Sequence, residues 1–243
     1  MKNWILLLSL FCIACGNNTD KENSDFQLKV GDILFQDLDS SPLCDAIELV
    51  TPGYKNGNFS HVGIIIEGGI PFCTNSDSRF EEKYFYNLNE DFKVLEALPG
   101  GVQITSIDSF LNRSYDINKK PKVIVGRLKL KHQYTLKDAI PFLKSKIGVG
   151  YDDAFIINNN SYYCSELIYE AFEKDSIFQL QPMTFLHPET KDTLSIWKEY
   201  YSDLKVEIPQ NELGINPGIM SLSDKIEIVH IYGIPEGMSM GTK

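Results

Sequence analysis

The chain has 243 residues, of which 43% are hydrophobic and 12% aromatic, and its formal net charge is −10. That apolar content belongs to a globular protein rather than a disordered one. The acidic balance leaves no basic stripe to neutralise phosphates, which excludes a nucleic-acid partner.

The N-terminus reads as an export signal. Lys2 supplies a positive start, residues 4–13 are almost unbroken apolar sequence, and Ala14-Cys15 follow at once. The apolar run is too short to cross a bilayer comfortably and fits a secretory segment. Cys15 in this setting resembles a bacterial lipobox, in which the cysteine is lipidated and the preceding residues are removed; the alternative is an ordinary signal peptide with a chance cysteine. Residues 16–25 (GNNTDKENSD) have the small, polar and charged composition of a tether. The expected organisation is therefore a signal and lipid anchor over 1–15, a tether over 16–25 and one domain over 26–243, exported and membrane-attached through the anchor. No later segment is long and apolar enough for a transmembrane helix.

Within the domain, residues 33–35 after Val30-Gly31-Asp32 predict a short strand. Residues 41–50 predict a helix with Pro42 near its start, and 51–58 (TPGYKNGN) predict a loop. Residues 59–67 (FSHVGIIIE) predict a buried strand ending at Gly68-Gly69, and 70–91 read as a polar insertion. Residues 93–97 and 123–130 predict further strands, and 135–147 carry apolar residues at helical spacing. A turn-rich aromatic stretch, 148–163, leads into an amphipathic helix over 165–174 that begins at or beside Cys164. A polar helix near 193–204 and a last strand over 225–232 complete the chain. Strands and helices mix without regular βαβ alternation, which predicts an α+β fold with a mainly antiparallel sheet.

Cys44, Cys73 and Cys164 remain after the leader, an odd count that allows one disulfide, Cys44 with Cys73, and one free thiol. No CxxC or Cys/His cluster has metal-ligand spacing, so neither a metal nor another cofactor is expected. A cysteine at a helix N-terminus is where a thiolate forms most easily, because unpaired amides and the helix dipole favour negative charge and can also hold an oxyanion. The plain alternative is a small buried residue packing helix against sheet. A nucleophilic cysteine needs a base, and His61, His132, His187 and His230 are available. His61 shares a strand face with Gly63, which leaves room for another element to approach. His230 on the last strand is the competitor, since it follows Cys164 in the chain order usual for papain-like enzymes.

Gly31-Asp32-Ile33-Leu34-Phe35, Ser60-His61-Val62-Gly63-Ile64, Val94-Leu95-Glu96-Ala97, Gly150-Tyr151-Asp152 with Phe155, Tyr162-Tyr163-Cys164-Ser165-Glu166-Leu167-Ile168 and Asn216-Pro217-Gly218-Ile219-Met220 together resemble the circularly permuted NlpC/P60, or YiiX/YebB-like, papain-fold hydrolases. The resemblance spans the mature domain. It implies a permuted papain-like fold and a thiol amidase or peptidase in which Cys164 is the nucleophile, His61 the base and Glu96 the third, orienting member. Glu67, Asp108 and Asp152 stay open as alternatives to Glu96. It further implies that Tyr151 and Tyr163 line the substrate cleft, that Asp32 caps the turn into the first strand, and that Glu166 complements the helix dipole. Relatives of this kind cleave peptidoglycan stem peptides, and permuted members also resemble lipid-directed acyl enzymes of the lecithin:retinol acyltransferase group. The expected substrates are accordingly a peptidoglycan peptide or an acyl lipid, by hydrolysis or acyl transfer. A non-catalytic envelope binding protein on the same fold is the remaining class.

Overall fold

The computed structural model describes residues 26–68 and 92–240. The signal segment, the tether, Cys15, Cys73 and residues 70–91 lie outside the described residues, and with them the expected lipidation and the pairing of Cys44 with Cys73.

In chain order the elements are β1 (Ile33–Gln36), α1 (Pro42–Val50), β2 (His61–Glu67), β3 (Lys93–Leu98), β4 (Gly101–Ser106), α2 (Ile107–Leu111), β5 (Val123–Leu128), α3 (Leu136–Ser145), α4 (Cys164–Phe172), β6 (Gln181–Pro182), α5 (Ser195–Leu204), β7 (Leu213–Gly214), α6 (Pro217–Ser221) and β8 (Ile226–Ile231). Among the described residues, six strands form one sheet in the order β4-β3-β2-β1-β5-β8, every neighbouring pair antiparallel, and β6 pairs with β7 in a separate two-stranded ribbon. This is the α+β, antiparallel arrangement expected. None of the described helices is long and apolar enough to cross a membrane.

The sheet is covered on both sides, which is why β2 reads as a continuous apolar run instead of an alternating one. Val62, Ile64 and Ile66 face the larger core with Ile33, Phe35, Leu95 and Ala97, where α3 and α4 pack through Ile140, Leu143, Leu167 and Ile168. Ile65 faces the other side with Leu34, Val94, Val123 and Val125, where α2 supplies Ile107 and Phe110. A third cluster joins Ala46 of α1 to Trp197 and Tyr201 of α5, with Phe185 between them.

The 123–130 strand stops at Leu128, because a 3-10 turn (Leu130–Thr135) begins there. Five elements were not anticipated, and none is longer than six residues. β4 is folded back on β3 by Pro99 and Gly100, with Leu98 opposite Gly101. Gly100 sits at φ +110°, a conformation natural only to glycine. α2 is capped by Ser106, whose hydroxyl accepts the Ser109 amide at 3.2 Å. α6 is capped by Asn216 with Pro217 at its first turn, and the Asn216 side chain accepts the Ile219 amide at 2.9 Å. The β6–β7 ribbon has two residues a side, too few to show a period.

Gly63 is where α2 meets the sheet. A Cβ there would come to 2.6 Å from Val94 Cγ1 and 2.9 Å from Phe110 Cε2. Both neighbours are fully buried and cannot withdraw. Gly63→Ala should therefore lose about 1–3 kcal/mol by overpacking, seen as a lower urea midpoint at unchanged m-value. A variant as stable as the parent would contradict this close approach.

Candidate active site

Cys164 opens α4. Its cap residue, Tyr163, has extended backbone (φ −88°, ψ 168°) and makes no side-chain cap bond, so no side chain competes for the amides that begin the helix. The Cys164 side chain is in hydrogen-bonding contact with His61, the first residue of β2, whose Nε2 lies 2.6 Å from Glu96 Oε2. The other ring nitrogen, Nδ1, is thereby left to the thiol. β2 and β3 are sheet neighbours, with Ile64 opposite Leu95 and Ile65 opposite Val94. Continued toward His61, that register makes His61 and Glu96 a diagonal pair on one face, within reach of two long side chains.

Both partners of this ion pair are buried, His61 at 4% and Glu96 at 0% relative exposure. Burial acts to lower the His61 pKa, but the hydrogen bonds to Cys164 and to Glu96 outweigh it and raise it to about 9. Burial acts to raise the Glu96 pKa, but the hydrogen bonds from Arg113 and His61 win and take it down to about 2. The site thus holds an imidazolium and a carboxylate across the neutral range.

Arg113 is the member that sequence reasoning missed. It follows α2 and grips Glu96 through both terminal nitrogens, at 2.6 Å to Oε2 and 2.5 Å to Oε1. Nothing near Arg113 in the sequence marks it; only the pairing of β3 with β4 and the turn into α2 carry it back over β3.

The other candidates separate cleanly. His230 lies on β8, three strands from β2 and so about 14 Å away at the usual strand spacing. It stacks on Phe26 with centroids 4.1 Å apart. His187 accepts loop amides from Glu189 and Thr190, and His132 lies in the 3-10 turn after β5. Of the alternative carboxylates, Glu67 pairs with Lys144 at 2.7 Å, and Asp108 is exposed in the first turn of α2. Asp152 accepts the Ala154 and Ile156 amides at 2.9 and 2.6 Å. Asp32 accepts the Lys29 amide at 2.8 Å, capping the turn before β1, and also binds Arg127.

A cavity of about 300 Å³ opens on Cys164. Tyr151, Phe155 and Tyr163 line it beside the thiol, Ile47 and Val50 come from α1, and Met183, Phe185, Trp197 and Ile215 come from the C-terminal third. Both predicted cleft tyrosines are therefore in its wall. The Tyr163 hydroxyl is engaged, accepting the Ile215 amide at 3.3 Å, so this residue offers its ring. The Tyr151 pKa is raised by burial and by the neighbouring Cys164, which keeps its hydroxyl a donor. Phe155 is held at φ +57° by the Asp152 turn and packs edge-on to Tyr163 at 5.5 Å. Glu166 has a structural part beyond the helix dipole. Its buried carboxylate accepts the Asn158 amide at 3.1 Å, fastening the loop over the thiol, and burial pushes its pKa up to about 7.

Thiol, imidazole and carboxylate in this order of contact are the working parts of a papain-like cysteine hydrolase, here with the histidine upstream of the cysteine. Residues 27–230 match the family of permuted papain-like amidases of the YaeF/YiiX type, peptidase family C92, and the chain belongs to that family. Membership makes it a cysteine hydrolase of the papain-like type. Among solved structures, the metalloprotein YiiX from Escherichia coli O157:H7 is similar at a TM-score of 0.62 and 20% identity, over 86% of this chain and 99% of that one. No curated protein matches the chain. The word metalloprotein belongs to YiiX; among the described residues of this chain, no group of three or more His, Cys, Asp or Glu side chains is placed to hold a metal ion.

Because the folded pKa of His61 lies above its ordinary value of 6.5, its contribution to stability is complete below pH 6.5 and disappears as pH rises through about 9. Urea midpoints of the parent should fall between pH 6.5 and pH 9, and His61→Gln should flatten that fall. Equal slopes for the two proteins would mean that the imidazolium is not held by its partners.

Proposed function

We propose that this protein is an exported, lipid-anchored amidase that cleaves the amide or ester bond of a substrate carrying an apolar acyl group. The observation that carries the acyl group is the cavity. Its wall is mainly aliphatic and aromatic, with Thr51, Ser60, Gln181, Thr184 and Asn216 among its polar members, and Cys164 stands at its edge. Its volume and apolar lining are those of a small-ligand pocket, with few polar groups to fix orientation. A peptidoglycan stem peptide, polar along its length, would leave most of this lining unused. Export and anchoring rest on the apolar N-terminal segment and Cys15.

The Cys164 thiolate attacks the carbonyl carbon and a C–S bond forms. The carbonyl oxygen takes the negative charge, facing the amides at the start of α4 and the Tyr151 hydroxyl in the same cavity wall. The His61 imidazolium gives its proton to the leaving amine or alcohol, the C–N or C–O bond breaks, and an acyl-Cys164 remains. Neutral His61 then takes a proton from water as that water attacks the thioester. The fatty or other apolar acid leaves and the thiolate–imidazolium pair is restored. Glu96 steadies the imidazolium throughout.

Hydrolysis of a series of N-acyl and p-nitrophenyl acyl substrates of increasing chain length tests this. Each methylene buried in the cavity is worth about 0.8 kcal/mol, so kcat/KM should rise about fourfold per added CH2 until the cavity is full. Val50→Phe, which intrudes on that cavity, should shorten the preferred chain. Cys164→Ala should abolish the reaction. Activity that survives Cys164→Ala removes the nucleophile assignment. A flat chain-length profile beside ready cleavage of stem peptides transfers the proposal to peptides, and binding without turnover of either class leaves a recognition protein.

A further inference from the structure

Glu96 is completely buried, and burial alone drives a carboxyl toward its neutral form. A neutral Glu96 would fail His61 in two ways. It would carry no charge to set against the imidazolium, and its proton would compete for the oxygen that faces Nε2. Arg113 opposes both. Its guanidinium lies over the Phe110 ring at 5.2 Å from the centroid, and it reaches both oxygens of Glu96 as a fork. Two parallel charge-assisted bonds fix the plane of the carboxylate as well as its ionisation. Oε2 is then shared between Arg113 Nη1 and His61 Nε2, so the fork aims that oxygen at the ring.

With Cys164 ionised, as it is when it attacks, the charges form an alternating row: thiolate, imidazolium, carboxylate, guanidinium. They sum to zero, which is the condition under which charged groups can be buried together. Without the last member the row carries a net negative charge, and the easiest escape is a proton on Glu96.

We propose that Arg113 is a positioning residue of this site, acting through Glu96 to keep His61 protonated and correctly turned toward Cys164. The role rests on the Cys164–His61 assignment made above. The charged and titratable groups facing Glu96 are Arg113 and His61, and those facing His61 are Cys164 and Glu96.

The test follows the His61 imidazole by NMR titration, together with alkylation of Cys164 by iodoacetamide at pH 7, in the full chain. Arg113→Gln should lower the His61 midpoint by about one pH unit or more and slow alkylation about tenfold or more. Arg113→Lys keeps the charge but loses the fork, and its His61 midpoint should fall between that of the parent and that of Glu96→Gln. In a Glu96→Gln background, Arg113→Gln should have no further effect on either readout. A side chain that merely stiffens the fold would lower the melting temperature and leave the His61 midpoint in place. The proposal is overturned by an unmoved midpoint in Arg113→Gln, or by additive losses in the double variant. Should Arg113→Gln not fold, a parental midpoint in Arg113→Lys overturns it equally. If instead the hydrolase reading is at fault, Cys164→Ala stays active while the His61 shift is still seen, so the two failures are distinguishable.

Discussion

Glu96 must stay ionised in a place that opposes ionisation, and much of the structure around the site answers that requirement. A carboxylate with no solvent contact needs its oxygens filled by donors, and those carrying positive charge hold it ionised most firmly. His61 fills one position from the neighbouring strand, and Arg113 fills the rest from beyond α2. Arg113 can arrive only because β4 turns back along β3 and delivers α2 onto that face. α2 can settle there only because Gly63 leaves space for Phe110. Phe110 then serves two neighbours at once: the His61 ring packs against it at 5.7 Å and Arg113 lies over it at 5.2 Å. Its backbone carbonyl also accepts the Gln36 side chain at 2.8 Å, tying the same corner to β1.

Cys164 stands where two environments meet. On one side is the charged row, and on the other an apolar cavity closed by the C-terminal third of the chain. That division suits acyl chemistry. The groups that move protons are kept away from bulk water, and the group that binds substrate meets mainly hydrocarbon. The wall nearest the thiol is a loop, and loops need anchors. Asp152 holds the turn at Phe155, Glu166 holds Asn158, and the hydroxyls of Tyr200 and Tyr201 on α5 bond the carbonyls of Asp153 and Ala154 at 2.7 and 3.2 Å. α5 therefore reaches the reaction through the loop it steadies and through Trp197 in the cavity wall.

The elements that sequence patterning reveals are β1, α1, β2, β3, β5, α3, α4, α5 and β8, each marked by an apolar run, a period or a helix-start signal. The strand pair that brings His61 to Glu96 was legible for the same reason, since residues 59–67 and 93–97 both read as strands. What escaped was short or non-local. β4 alternates weakly because its outer residues, Gln103 and Ile104, are exposed, so no burial pattern marks it. α2 and α6 have five residues each and rest on a capping side chain rather than a face. Arg113 has no periodic context at all; its partner is seventeen positions away and is reached through a hairpin and a helical turn. The cavity escaped likewise, because Ile47, Phe155, Phe185 and Ile215 have no relation in the sequence and meet only after α1 and α5 pack.

His61 and His230 show why chain order is a weak guide to a site of this kind. Cysteine followed by histidine is the usual papain-like sequence, and His230 satisfies it from within a strand. Yet β8 is separated from β2 by β1 and β5, and its histidine is spent on a stack between Phe26 and Tyr232. A general base must lie within hydrogen-bond reach of the proton it moves, and adjacency in a sheet is set by pairing, which is indifferent to the order in which strands are made. β2 meets that condition: β3 beside it carries the carboxylate, and α4 packs against both strands. Cutting and rejoining the chain elsewhere changes the loops and leaves those contacts intact, so the permuted order costs the chemistry nothing.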